Sequence, residues 1–213
     1  MTRTVELESF ALLSVAAVAG IVIAFYGNHG PKMRATFNLP VVAPLTSPSP
    51  TAAPTPTPTT FSQISPNGLK RITMTVTEHS KTSVSYAFSV SNGDGSDAQP
   101  LYSINLPVGE YMSIPFNAFS PDNKYLFLEH TTKDATEAFA FRTDGTSLGD
   151  TSQYDNIKDI FTAKQTGYTY QTTTGWASET LLIVNTTKAD GSKGPSYWVE
   201  LPSKAVIQLS TEF

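Results

Sequence analysis

Hydrophobic and polar positions divide this 213-residue chain into three stretches of different pattern. Phe10–Tyr26 (FALLSVAAVAGIVIAFY) is uncharged and apolar all round, without the polar stripe that a surface helix carries. As a helix it spans about 26 Å, near the lower limit for crossing a hydrocarbon core of about 30 Å. Leu39–Thr60 is a Pro/Thr/Ser tract with prolines at positions 40, 44, 48, 50, 54, 56 and 58. Beyond it the pattern has the period of strands. Ile72–Thr77 and Val84–Val90 alternate apolar and polar residues around the polar turn Glu78–Thr82, which predicts an antiparallel hairpin with one buried face. Further strands are expected at Leu101–Leu106, Tyr125–Glu129, Glu137–Arg142, Leu181–Asn185, Tyr197–Leu201 and Ala205–Leu209. Asn92–Gly95, Pro121–Asn123, Asp144-Gly145 and Asp190-Gly191 supply the turns between them. Only Gln153–Lys164 carries a helical spacing, through Ile157, Ile160 and Phe161.

These stretches predict a short tail (1–9), a transmembrane signal anchor (10–27), a disordered Pro/Thr-rich stalk (28–67) and an all-β domain (68–213). A cleaved signal peptide competes with the anchor, because Ala17-Val18-Ala19 resembles a small-residue cleavage site, but cleavage there strands the apolar Ile21–Tyr26 on the mature N-terminus. Proline lacks an N–H and extends the residue before it, so the stalk is expected to be polyproline II-like, at most about 70 Å long. The positive-inside count sets Arg3 and the α-amino group against Lys32 and Arg34 and, taken alone, slightly favours a cytoplasmic C-terminus. The stalk, suited to bridging an envelope or wall, argues for the domain outside, at the cell membrane on a single span.

From Phe61 onward there are 11 Lys plus Arg against 16 Asp plus Glu. An acidic domain lacks the basic footprint that nucleic acid requires. The absence of cysteine excludes disulfides, thiolate nucleophiles and Cys-ligated metal sites. No cofactor is implied.

A repeat appears when the strands are superposed. Its fullest copy runs Phe119-Ser120-Pro121-Asp122-Asn123-Lys124, a strand, a polar hairpin, and then Ala138–Gly145. A second runs Gly175–Val184, a hairpin, then Tyr197–Glu200. A fainter one runs Ser83–Val90, a hairpin, then Leu101–Ile104, with no corner of its own. The fullest copy resembles the TolB-type, WD40-like β-propeller repeat: residues 119–124 match its FSPDGK corner, and Thr143-Asp144-Gly145 matches the DG turn that ends its next strand. The resemblance implies propeller-like blades in which these residues are structural. Two or three copies are too few to close a ring of at least about four blades, so strand edges stay open for self-association unless the strands form a small β-sandwich.

Candidate chemistry is sparse. Gly145-Thr146-Ser147-Leu148-Gly149 matches the G-x-S-x-G nucleophile pattern of an envelope serine hydrolase, an alternative that needs a strand–turn–helix elbow with a His and an acid. His79 and His130 stand apart without metal-ligand spacing. Asn92, Asp94 and Asp97 place oxygen ligands at alternate positions, as calcium loops do, but no closing Glu follows. Asn185-Thr186-Thr187 is an N-x-T sequon. Trp176, Tyr197 and Trp198, with Tyr168 and Tyr170, concentrate aromatic surface that could stack on a glycan or anchor a protein partner, or could pack a core. At least one of Tyr197 and Trp198 must face outward if both lie on a regular strand. The expected function is therefore a non-catalytic binding or protein-interaction module, or an accessory part of a larger propeller assembly.

Overall fold

The computed structural model describes residues 57–78, 81–149, 152–164 and 166–209. The expected anchor and the greater part of the stalk lie outside the described residues, as does His79. No helix among the described residues is long and apolar enough to cross a membrane.

Among the described residues, twelve strands form three four-stranded antiparallel sheets, each hydrogen-bonded in chain order. The first sheet contains β1 (Thr59–Ile64), β2 (Lys70–Glu78), β3 (Ser83–Asn92) and β4 (Gln99–Pro107). The second contains β5 (Tyr111–Ser113), β6 (Tyr125–Thr131), β7 (Thr136–Arg142) and β8 (Tyr154–Asn156). A short helix, α1 (Ile157–Ala163), leads to the third sheet: β9 (Thr169–Trp176), β10 (Leu181–Thr187), β11 (Tyr197–Glu200) and β12 (Ala205–Gln208). Asn156 is the N-cap of α1, its side chain accepting from the backbone N–H groups of Lys158 and Asp159.

The second sheet is buried on both faces, which explains its two unbroken apolar runs. Tyr125–Leu128 and Ala138–Phe141 are buried at every position. Leu126, Leu128, Phe139 and Phe141 face the first sheet and pack with Ile72, Met74, Tyr86, Phe88 and Val90. Tyr125, Phe127, Ala138 and Ala140 face the third sheet and α1, meeting Ile157, Phe161, Leu182, Val184, Tyr197 and Val199.

The folded part begins earlier than residue 68. Thr59–Ile64, assigned above to the stalk, pairs in register with Val76–Arg71. The faint first copy of the repeat, expected to start at Ser83 without a corner, lies one strand late: the corner of the first sheet leads into β2, so β2 and β3 correspond to β6 and β7. Ser65-Pro66-Asn67-Gly68 joins β1 to β2 just as Ser120-Pro121-Asp122-Asn123 joins the 114–119 segment to β6. In each corner the serine N–H donates to the carbonyl five residues on, at 2.8 and 2.9 Å. Its hydroxyl donates to the Asx side chain (2.9 and 2.8 Å) and accepts the N–H of Lys70 or Tyr125 (both 3.0 Å). The fourth residue is left-handed in both, Gly68 at φ 78° and Asn123 at φ 58°. At Ala177–Thr180 the corner is one residue shorter, closed by Ala177 N–H to the Leu181 carbonyl at 2.8 Å.

A second device recurs three times. In Asp94-Gly95-Ser96, Asp144-Gly145-Thr146 and Asp190-Gly191-Ser192 one aspartate oxygen accepts both the backbone N–H and the hydroxyl of the third residue, at 2.6–2.9 Å. The first two close the β3–β4 and β7–β8 connections; the third lies one hairpin earlier, between β10 and β11.

Candidate interaction surface

The aromatic trio is divided by the strand period. Tyr197 faces inward, 3% exposed, edge-on to Phe161 with ring centroids 5.1 Å apart. Burial raises its phenol pKa. It packs the core and offers no ring to a ligand. Trp176 bridges two sheets: its indole lies 6.3 Å from Tyr125 and 6.2 Å from Phe127, and its Nε1–H donates to the Ala118 carbonyl at 3.0 Å. Trp198, on the opposite face of β11 from Tyr197, is half-buried. The three therefore form no common platform.

The glycine-rich loop at Asn92–Asp97 satisfies itself. Asn92 donates to Ser96 Oγ and to Asp97 Oδ2 at 3.0 and 2.8 Å, while Asp94 holds Ser96. No group of three or more metal-ligating side chains occurs among the described residues. Ser147 lies in an exposed turn after Asp144-Gly145, and the next helix begins only at Ile157. His130 pairs with Glu137, whereas Tyr125 pairs with Arg142 at the end of the ladder leading to Ser147. That places His130 about 17 Å along the strands from that end, where its Nε2 meets Glu110 Oε2 at 3.0 Å. Ser147 and His130 are not brought together. Asn185 lies on β10, its Oδ1 accepting from the Ser196 hydroxyl at 2.7 Å.

Two clefts border the sheets. The larger, about 700 Å³, lies beside β8, α1 and Lys204. Asp155, 5% exposed, holds Lys204 Nζ at 2.8 Å through Oδ1, and its Oδ2 has no partner among the described residues. This ion pair links the outer strand of the second sheet to the β11–β12 turn of the third. The smaller cleft, about 370 Å³, lies between the two Ser-Pro corners and is lined by Lys70, Lys124, Arg142 and Asp144, among others. There Asn67 Oδ1 accepts the Leu69 N–H, which obliges Asn123 to present its amide donor at 2.7 Å and leaves Asn123 Oδ1 buried without a partner among the described residues.

Among the described residues, the most exposed large apolar side chain is one that sequence reasoning passed over. Phe116 is 96% exposed, yet the backbone around it is held from three directions. Gln63 of β1 donates to the Phe116 carbonyl, Asn117 donates to the Thr174 carbonyl of β9 at 2.5 Å, and Trp176 donates to the Ala118 carbonyl. Ala118 N–H closes the turn onto Pro115 at 3.1 Å. Phe61, two residues before Gln63 on the same face of β1, is 53% exposed. The signal in the sequence was an aromatic inside a Pro-Phe-Asn turn, where no strand needs it for a core.

Compared with family models, curated proteins and solved structures, the chain finds no match.

Proposed function

We propose that this chain is a membrane-anchored, extracytoplasmic β module that binds a protein partner and carries out no chemistry itself. The observation that carries the reading is Phe116, an exposed ring on a backbone fixed by hydrogen bonds to β1 and β9. Fixing the backbone that carries a ring removes the loop-ordering part of the entropic cost of binding, and aromatic anchors dominate interface energetics. Phe61 extends the apolar contact. The N-terminal order of apolar segment, Pro/Thr stalk and β domain supports display away from a membrane. The two matching Ser-Pro corners and the Asp-Gly-Ser/Thr turns support a divergent propeller-type repeat, with each four-stranded sheet as one blade.

Site-specific photocrosslinking on intact cells tests this. With the crosslinker at position 116, discrete protein adducts are expected that are missing when it stands at the exposed Ala87 of β3. Identical adduct patterns at both positions would sink the binding reading. Protease added to the same cells is expected to remove the domain; protection would instead place it in the cytoplasm.

A further inference from the structure

On β8 the strand period sets Asp155 opposite Ala140, on the face turned toward the third sheet, so a carboxylate stands beside an apolar core. Lys204, left-handed at φ 55° in the β11–β12 turn, brings its ammonium to Asp155 Oδ1. Among the described residues, Asp155 Oδ2 is the one buried carboxylate oxygen without a hydrogen-bond partner. A buried ion pair that only joins two sheets can often be replaced by an apolar pair without loss, whereas a buried oxygen left without a donor is costly. Asp155 also lines the cleft of about 700 Å³, a volume within the range of small-molecule sites, about 300–1,000 Å³.

We propose that this cleft binds a neutral saccharide, one hydroxyl donating to Asp155 Oδ2 while the neighbouring hydroxyl accepts from Lys204. An ammonium carries three donors, and Oδ1 takes one of them. An open acceptor and spare donors therefore stand side by side. Adjacent hydroxyls of a sugar ring, each both donor and acceptor, match that pair. The charges favour a neutral ligand. Asp155 and Lys204 neutralise each other, and the exposed Asp159 and Lys164 add one charge of each sign to the cleft wall. An anion or a cation would meet a like charge beside its opposite, whereas hydroxyls bind without breaking the ion pair. Ile160 and Ala163 offer apolar surface on the α1 side to the C–H face of a ring. Oδ2 is closed to solvent, and a hydroxyl gains it as the Lys204 side chain, 45% exposed, shifts along the carboxylate. The site is separate from the contact at Phe116, so either can fail without the other.

Saturation-transfer NMR on the full-length chain in lipid nanodiscs tests the site, with maltotriose, mannotriose and triacetylchitotriose as probes. At least one of these sugars is expected to take up saturation at its ring protons. Asp155→Asn, which sets an amide donor where the acceptor stood, is expected to weaken binding by about tenfold to a hundredfold, the loss of one hydrogen bond to a charged group. Ala163→Phe fills the cleft from an exposed helix position. It is expected to abolish the signal while leaving Tm in place, and it carries the test if Asp155→Asn fails to fold. Saturation that survives Ala163→Phe would put the sugar elsewhere and overturn the site. Saturation of free glycine in place of all the sugars would overturn the saccharide in favour of a zwitterion. No saturation of any probe would leave Asp155 Oδ2 to a buried water and overturn binding altogether.

Discussion

At Gly93 two backbone segments approach closely: the Gly93 N–H donates to the Leu69 carbonyl at 2.9 Å, and a Cβ there would stand 1.8 Å from the Gly68 carbonyl oxygen. The obstruction is backbone inside the Ser-Pro corner, so no rotamer change relieves it. Gly93→Ala is expected to destabilise the domain by about 1–3 kcal/mol, seen as a lower midpoint in thermal unfolding, whereas Gly149→Ala, which meets only the end of the Lys204 side chain at 3.7 Å, should be silent. The Asp-Gly-Ser/Thr turns make a different prediction. Hydrogen bonds from the backbone N–H and hydroxyl of Ser96, Thr146 and Ser192 hold Asp94, Asp144 and Asp190 below the ordinary carboxylate pKa. A carboxylate whose pKa is depressed by folding stabilises the fold above its unfolded pKa and loses that contribution as pH falls through the folded value. Stability is therefore expected to be flat from pH 7 to about 5 and to decline below about pH 4. Replacing all three aspartates with asparagine should make that decline shallower, leaving the part due to Asp122, Glu137 and Glu200, which are also held low; an unchanged acid limb in the unfolding curve would assign it to those other carboxylates.

At the scale of elements, the Asp155–Lys204 pair ties the outer strand of the second sheet to the third. Because Asp155 is 5% and Lys204 45% exposed, Lys204→Met is expected to cost about 2 kcal/mol, between the values for exposed and buried pairs. Adding Asp155→Leu should recover much of that cost, a coupling that a double-mutant cycle measures. Strand recognition from sequence followed burial. The central strands β2, β3, β6, β7, β10 and β11 bury one or both faces, so their apolar spacing was legible. The first strand of each sheet was not. The six residues of β1 are exposed except for Gln63, β5 is three residues long, and β9 spends its middle on three threonines and a glycine; none generates a strong period-2 signal. The corner at Ser65 was missed for a related reason: without β1 in view, Ser-Pro-Asn-Gly read as the end of a proline-rich stalk. Phe116 was illegible as an exposed anchor because its carbonyl is held by Gln63 and that of nearby Ala118 by Trp176, donors some fifty to sixty residues away.

For the molecule as a whole, the second sheet is the shared wall of both cores. Leu126 points into the core with the first sheet and Phe127, next along β6, into the core with the third. Both are fully buried, and the Ser-Pro corner that begins their strand also bridges to the first sheet through Asn123 and Asn67. A substitution on either face must therefore disturb a strand that both cores need. Leu126→Ala is expected to cost about 2–5 kcal/mol and Phe127→Ala about 3–5 kcal/mol. Each is expected to lower one common unfolding transition rather than release a single sheet. Hydrogen exchange distinguishes the outcomes. With Leu126→Ala, amides of β10 and β11, which touch neither Leu126 nor the first sheet, should lose protection together with those of β2 and β3. Retained protection in the third sheet alone would mean that the two cores fold as independent units. The second sheet would then act as a divider between two separable domains, and contact at Phe116, which is braced by β1 and β9 together, would require both of them to be folded at once.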